Sequence, residues 1–255
     1  MREHSEGMAA ALGASTLLVE FGSGAGIKTE LLLAALRPVA YVPVDISAAA
    51  LQAAVPRTAA AFPDVTIIPV CADYMRPLAL PELGAYPSCR RVIYFPGSTI
   101  GNLTPEEAQA FLLRMCGLAG DGGAMLVGVD LKKDSAILHA AYNDAQGVTA
   151  EFNLNLLRRI NRELGGDFDL RQFAHVAFYD AEAGRIEMHL ESRTAQTVTV
   201  AGHRFAFAAG ERIHTENSCK YAVGEFRELA RAAGWTAAQC WTDDRDYFAV
   251  HLLKA

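Results

Sequence analysis

The sequence predicts an α/β fold: a doubly wound parallel sheet interrupted by an inserted α+β lobe. Three observations point to it. Short, β-rich apolar runs alternate with Ala- and Leu-rich segments through the first half, and the first of those runs ends in a glycine-rich turn. Beyond residue 132 the pattern changes to polar and apolar residues in alternation, and the opening rhythm returns near the end. Strands separated by helices imply parallel neighbours covered on both faces, whereas period-two alternation implies an antiparallel sheet with one face open to solvent.

After a short helical lead-in, residues 16–21 (TLLVEF) read as a strand and residues 29–36 (TELLLAAL) as the helix that follows its turn. Further strands are expected at residues 41–45, 65–71, 91–95 and 124–129, with helices at 47–54 and 105–118 among them. Thr104 ahead of Pro105-Glu106-Glu107 is a helix start, because the hydroxyl can cap free backbone N–H groups and proline needs none. The second part offers a helix at 150–164 and alternating strands at 174–179, 185–192, 196–200 and 203–207. A helix at 225–233 and strands at 236–241 and 247–253 complete the first sheet. The expected division is residues 1–131 plus 221–255 for the sheet domain and 132–220 for the lobe.

With 255 residues, 51% of them hydrophobic, the chain is long enough to bury a large core. A net charge of −6 disfavours nucleic acid or an anionic membrane as partner, since both need clustered Lys and Arg. A small molecule fits better, and a monomer is expected. Cys71, Cys89, Cys116, Cys219 and Cys240 are odd in number and never spaced C-x-x-C, which suggests neither a disulfide framework nor a zinc site. No apolar stretch is long enough for a membrane span and the start lacks signal-peptide character, so the protein is read as cytoplasmic. The seven histidines show no metal-binding spacing, and no metal is expected.

The chemistry-bearing residues sit at strand ends. Glu20-Phe21-Gly22-Ser23-Gly24-Ala25-Gly26 has an acid before its glycines and lacks the G-x-G-x-x-G spacing of dinucleotide binders. Asp45 ends the second strand roughly twenty residues after Gly22, where a carboxylate can accept hydrogen bonds from ribose hydroxyls. Asp73-Tyr74 follows the third strand and offers a carboxylate to an adenine amine beside an aromatic face. Three such ends on one sheet edge point to a nucleoside cofactor. Phe95-Pro96-Gly97-Ser98-Thr99-Ile100-Gly101-Asn102-Leu103 is a rigid polar loop at the same edge, placed to face a transferring group.

These turns, with LVEFGSGAGIKTELLL, FPGSTIGNL, AYNDAQGVTAEFNLNLLRRINRELGGDFDL, RIEMHL, SRTAQTV and HTENSCKY, resemble the L-histidine Nα-methyltransferases of ergothioneine biosynthesis over essentially the whole chain. The resemblance implies a Rossmann-like class I methyltransferase sheet with a substrate-binding lobe, using S-adenosylmethionine and releasing S-adenosylhomocysteine. It places cofactor contacts on Gly22, Lys28, Asp45, Asp73 and Tyr74. It places the substrate carboxylate on Asn102 and Tyr142, the amine at the Gly97 carbonyl, and the imidazole on Glu216 and Ser218, with Met188 lining the same pocket. Gly97, Asn102 and Tyr142 would align the substrate, and no residue is assigned as a base. The implied reaction gives Nα,Nα,Nα-trimethylhistidine (hercynine).

The donor and acceptor types agree with those roles. An amide NH₂ and a phenol suit a carboxylate, Glu216 accepts an imidazole N–H, and Ser218 serves the second nitrogen. Read singly, Met188 would be core, Glu216 a solvated acid and Tyr142-Asn143-Asp144 a helix-start turn. The family carries a longer segment before its first strand, with tyrosines that complete the imidazole pocket; only Met1 to Ser15 precede that strand in this sequence. Other readings are an N-methyltransferase for another aromatic amino acid, a non-catalytic nucleoside- or amino-acid-binding module, and a dehydrogenase, the last disfavoured by its glycine spacing.

Overall fold

The computed structural model describes residues 3–23, 27–76, 78, 80, 86 and 89–255. Two compact units emerge, residues 1–131 with 221–255 and residues 132–220. Gly24, Ala25 and Gly26 of the glycine-rich turn lie outside the described residues.

The first unit begins with helix α1 (Ser5–Leu12), β1 (Thr16–Phe21), α2 (Ile27–Leu36), β2 (Ala40–Asp45) and α3 (Ala48–Ala61). Then come β3 (Thr66–Ile67), β4 (Val70–Cys71), β5 (Arg90–Phe95), α4 (Pro105–Ala119) and β6 (Ala124–Asp130). β1 is buried along its whole length, as a central strand covered on both faces must be. Thr104 caps α4 from Glu107 N, and Glu107 returns the bond to Thr104 N, a reciprocal capping box.

Two expectations are corrected here. The single strand expected at 65–71 is two short strands, both pairing with β2, since Pro69 interrupts the run and cannot donate to a ladder. The helix expected to stop at residue 54 continues through Pro56 to Ala61, with the Thr58 hydroxyl donating to the Ala54 carbonyl at 3.1 Å.

The second unit holds α5 (Ser135–Tyr142), α6 (Val148–Leu164), β7 (Phe173–Asp180), β8 (Arg185–Ser192), β9 (Gln196–Val200), β10 (His203–Phe207) and β11 (Arg212–Cys219). The alternation predicted one antiparallel sheet; there are two, β11-β8-β7 and the hairpin β10-β9. β8 alternates buried and half-buried residues along its whole length, the signature of a sheet covered on one face. Helix α5 and strand β11 were not anticipated: α5 (SAILHAAY) is short and apolar nearly throughout, so it shows no amphipathic period, and β11 (RIHTENSC) is mostly polar.

The chain re-enters the first unit through α7 (Val223–Ala232), β12 (Thr236–Thr242) and β13 (Phe248–Lys254). Among the described residues the sheet has eight strands in the order β12-β13-β6-β5-β1-β2-β3, with β4 also on β2. β6, β5, β1 and β2 are mutually parallel, while β13 runs antiparallel to both β6 and β12. Strand order therefore reverses between β1 and β5, and a crevice at their carboxyl ends is where such sheets take ligands. Trp235, 1% exposed, anchors the return by donating from Nε1 to the Leu112 carbonyl at 2.8 Å.

Candidate functional site

β1, β2, β4 and β5 all deliver their carboxyl ends to one edge. At β1, Gly22 has φ +69° and donates its N–H to the Val44 carbonyl at 2.9 Å. A Cβ at Gly22 would meet nothing within 4 Å, so the backbone faces open space that a ligand can approach. Lys28 sits in the first turn of α2 with an exposed side chain, its carbonyl accepting from Tyr94 Oη at 3.3 Å.

Asp45 ends β2 half-buried, with Oδ1 accepting from Ser47 N at 2.9 Å. Asp73 Oδ1 likewise accepts from Met75 N at 2.9 Å. Asp45 is thus held by its own turn through one oxygen, whereas Asp73 also pairs with Arg76 Nε through Oδ2 at 3.3 Å. The Tyr74 ring packs edge-on against Phe21, Phe95 and Phe111, with centroids 5.8, 5.8 and 6.1 Å away. Burial beside Asp45 and Asp73 holds its phenol above the usual range, so it stays neutral. Two carboxylates, an aromatic wall and an open glycine suit the hydroxyls, amine and ring of an adenosyl group. Gly22, Asp45, Asp73 and Tyr74 would hold it.

Glu20 has a different task. It is 2% exposed and accepts from the Thr29 hydroxyl at 2.7 and 2.8 Å and from the Tyr41 hydroxyl, tying β1, α2 and β2 together. Burial pushes its carboxyl up to about 7, against the opposing pull of the two hydroxyls. Because that value lies above the unfolded 4.5, the folded state binds the extra proton between those limits. Glu20 therefore costs stability progressively as pH rises from about 4.5 to about 7, by roughly 3 kcal/mol in all. Denaturant titrations at pH 5 and pH 8 should show this slope reduced in Glu20→Gln; an unchanged slope would assign the proton elsewhere.

At β5, Pro96 is buried and Gly97 exposed. Ser98 adopts φ +58°, uncommon for a residue with a side chain, and its Oγ accepts from Asp130 N at 2.9 Å. Asn102 ends the short 3₁₀ turn Thr99–Asn102 with its side chain exposed.

In the second unit, Tyr142 closes α5 rather than opening the next helix. Asp144 lies ahead of α6 and accepts from Val148 N and Thr149 N in its first turn at 2.9 and 2.8 Å, which lowers its carboxyl to about 2. Met188 is buried with Leu138, Ala177 and Ile186, and Tyr142 packs against this cluster.

Strand β11 reaches the same face by a bulge. His214 pairs with His189, but Glu216 pairs with Met188, so Thr215 is an extra residue, its hydroxyl donating to the Met188 carbonyl at 2.9 Å. In an unbroken strand His214 and Glu216 would share a face; the bulge separates them and sets Glu216 beside Met188. Ser218 pairs with Ile186, and its Oγ lies 2.8 Å from Tyr142 Oη. Tyr142, Met188, Glu216 and Ser218 thus share one face of the lobe sheet.

Sequence reasoning overlooked Lys220, which is 2% exposed and donates to Ser218 Oγ at 2.6 Å and Tyr142 Oη at 2.9 Å. Its place in HTENSCKY, two residues past Ser218, was the available signal. It also overlooked Glu187, His189 and His214, whose ligand atoms lie within 4.8 Å of one another. That cluster occupies the opposite face, where Glu187 is engaged by Arg185 and by His189 at 3.0 Å.

A family model described as a histidine-specific, SAM-dependent methyltransferase matches residues 1–255. The histidine N-alpha-methyltransferase of Mycolicibacterium smegmatis is 42% identical over 259 residues, covering 99% of this chain and 79% of that protein. Ergothioneine biosynthesis protein 1 of Neurospora crassa is 31% identical over 99% of this chain and 29% of its own length. Among solved structures, the CcbJ methyltransferase from Streptomyces caelestis superposes with a TM-score of 0.57 at 19% identity, covering 100% of this chain and 94% of that one, a likeness of fold. A sheet edge suited to an adenosyl group and a family match running from the first residue to the last lead to one conclusion: this chain belongs to the histidine-specific, SAM-dependent methyltransferases.

Proposed function

We propose that the protein transfers methyl groups from S-adenosylmethionine to the α-amine of L-histidine, forming Nα,Nα,Nα-trimethylhistidine in ergothioneine biosynthesis. The observation that carries this reading is the shared face of Tyr142, Glu216 and Ser218, which combines donors and an acceptor for a polar heteroaromatic amino acid. The names of the relatives support the same substrate.

When bound, S-adenosylmethionine supplies an activated methyl group. Gly22, Lys28, Asp45, Asp73 and Tyr74 bind and orient it in this reading, and residues 132–220 form the substrate-binding lobe. Glu216 accepts the imidazole N–H, Ser218 serves the other ring nitrogen, and Met188 lines the ring. Asn102 and Tyr142 donate to the carboxylate, while the Gly97 carbonyl faces the amine. The reaction needs an unprotonated amine held in line, and a free α-amine has a pKa near 8. Alignment therefore does most of the work, and no side chain need form a covalent bond. No disulfide joins Cys71, Cys89, Cys116, Cys219 or Cys240, and no helix among the described residues is long and apolar enough to cross a membrane.

Incubation with S-adenosylmethionine and a mixture of amino acids, followed by mass spectrometry, tests the proposal: methylated histidine is expected, and methylation of another amino acid in its place would refute it. Asp45→Ala should weaken S-adenosylhomocysteine binding by roughly tenfold to a hundredfold in calorimetry, as for loss of a charged hydrogen-bond acceptor. Undiminished affinity would remove Asp45 from the cofactor site.

A further inference from the structure

The lobe sheet carries a second group of chemistry-bearing side chains on the face turned away from Met188 and Glu216. Glu187 and His189 stand two residues apart on β8 and so share that face, and His214 of β11 pairs directly with His189 across the ladder. One ligand atom from each of the three lies within 4.8 Å of the others. His189 Nε2 is 3.0 Å from Glu187 Oε2, and the two imidazoles lie side by side with centroids 4.7 Å apart and planes 20° apart. Because His214 comes from another strand, no spacing along the sequence marks the group.

Two of the three side chains are already oriented. Arg185 Nε donates to Glu187 Oε1 at 2.9 Å, which leaves Oε2 toward His189. Phe178 stacks on His189 with centroids 5.4 Å apart and planes 9° apart, fixing the plane of that ring. His214 is exposed, with Nε2 3.2 Å from the Glu216 carbonyl.

Two buried acceptors on this face have nothing to accept. With Nε2 donating to Glu187, a neutral His189 has a bare nitrogen at Nδ1, and that atom is buried without a hydrogen-bond partner. Asn217, paired directly with Glu187, has its Oδ1 in the same condition. Buried polar atoms are normally matched, and a cation is the ligand that matches acceptors.

We propose that Glu187, His189 and His214 form a binding site for a divalent transition metal of the zinc class, with Asn217 beside it. A carboxylate oxygen and two imidazole nitrogens are ligands such ions take, whereas Mg²⁺ and Ca²⁺ call for oxygen throughout. Ligand atoms around a tetrahedral zinc lie about 3.4 Å apart, from bonds of about 2.0–2.1 Å. Rotation of the exposed His214 side chain closes the 4.8 Å spread to that distance. A metal there clamps β8 to β11 on the reverse of the face assigned to the substrate.

The test titrates the full chain, without an affinity tag, with Zn²⁺ in calorimetry and with Co²⁺ in visible spectroscopy, where tetrahedral Co²⁺ absorbs much more strongly than octahedral. The wild-type chain should bind a single Zn²⁺ that His214→Ala and Glu187→Gln each weaken by at least about tenfold, and the tetrahedral Co²⁺ spectrum should vanish in both. Circular dichroism checks that the variants keep the fold; if His214→Ala does not, His214→Gln takes its place with the same expected loss. Absence of saturable Zn²⁺ binding would overturn the proposal. So would binding that is equally tight in either variant, which would put the metal elsewhere, as on the exposed Cys71.

Discussion

Replacing Glu216 by alanine is expected to lower kcat/KM for L-histidine by about a hundredfold while leaving S-adenosylhomocysteine binding unchanged. The size of the effect follows from what is lost. The side chain is half-buried and pairs across the sheet with Met188, which is 4% exposed, so water replaces its carboxylate poorly against an imidazole N–H. Glu216→Gln keeps an acceptor oxygen without the charge and should fall between alanine and wild type. Steady-state kinetics with histidine, paired with calorimetry, separates lost substrate recognition from a damaged cofactor site. Wild-type turnover in Glu216→Ala would end the assignment of the imidazole to this face.

The second large effect is expected at Gly128, a residue with no polar group to offer. A Cβ there would lie 2.1 Å from the Pro96 carbonyl oxygen, 2.6 Å from the Pro96 carbonyl carbon and 2.8 Å from Phe248 Cζ. Two of those three are backbone atoms at the end of β5, so Gly128→Ala must displace Pro96 and, with it, Gly97. Overpacking of this kind costs about 1–3 kcal/mol. At the midpoint of that range the melting temperature should fall by roughly 4–8 °C for a chain of this size. Because Gly97 is assigned to the amine, kcat should fall at least about tenfold as well, since a displacement near 1 Å is costly to an aligned reaction. Thermal denaturation and kinetics on the same preparation check both; unaltered stability would mean that β5 has slack the packing does not suggest.

The parallel core was legible because its strands are fully covered and therefore read as uninterrupted apolar runs, as at residues 16–21, and because Thr104-Pro105 and Gly22 punctuate the connections. The acids at Asp45 and Asp73 were legible for a related reason: a polar residue that ends a buried run has its place set by the strand before it. Period-two alternation likewise marked β8 from Arg185 to Ser192. Strand β11 was not legible, because HTENSC is mostly polar and its alternation breaks at the Thr215 bulge.

By itself the sequence determined the α/β class and, through resemblance, the family. Both depend on local pattern, which the order of residues records directly. Only the tertiary structure decided that β13 enters the sheet antiparallel, that Glu20 lies buried between Thr29 and Tyr41, that Gly128 must remain without a side chain, and that Lys220 reaches back to Tyr142. Each depends on contact between residues far apart in the chain. Whether a lysine is buried on two hydroxyls, or a glycine lies against a carbonyl, is set by which strands become neighbours, and no window along the sequence contains that information.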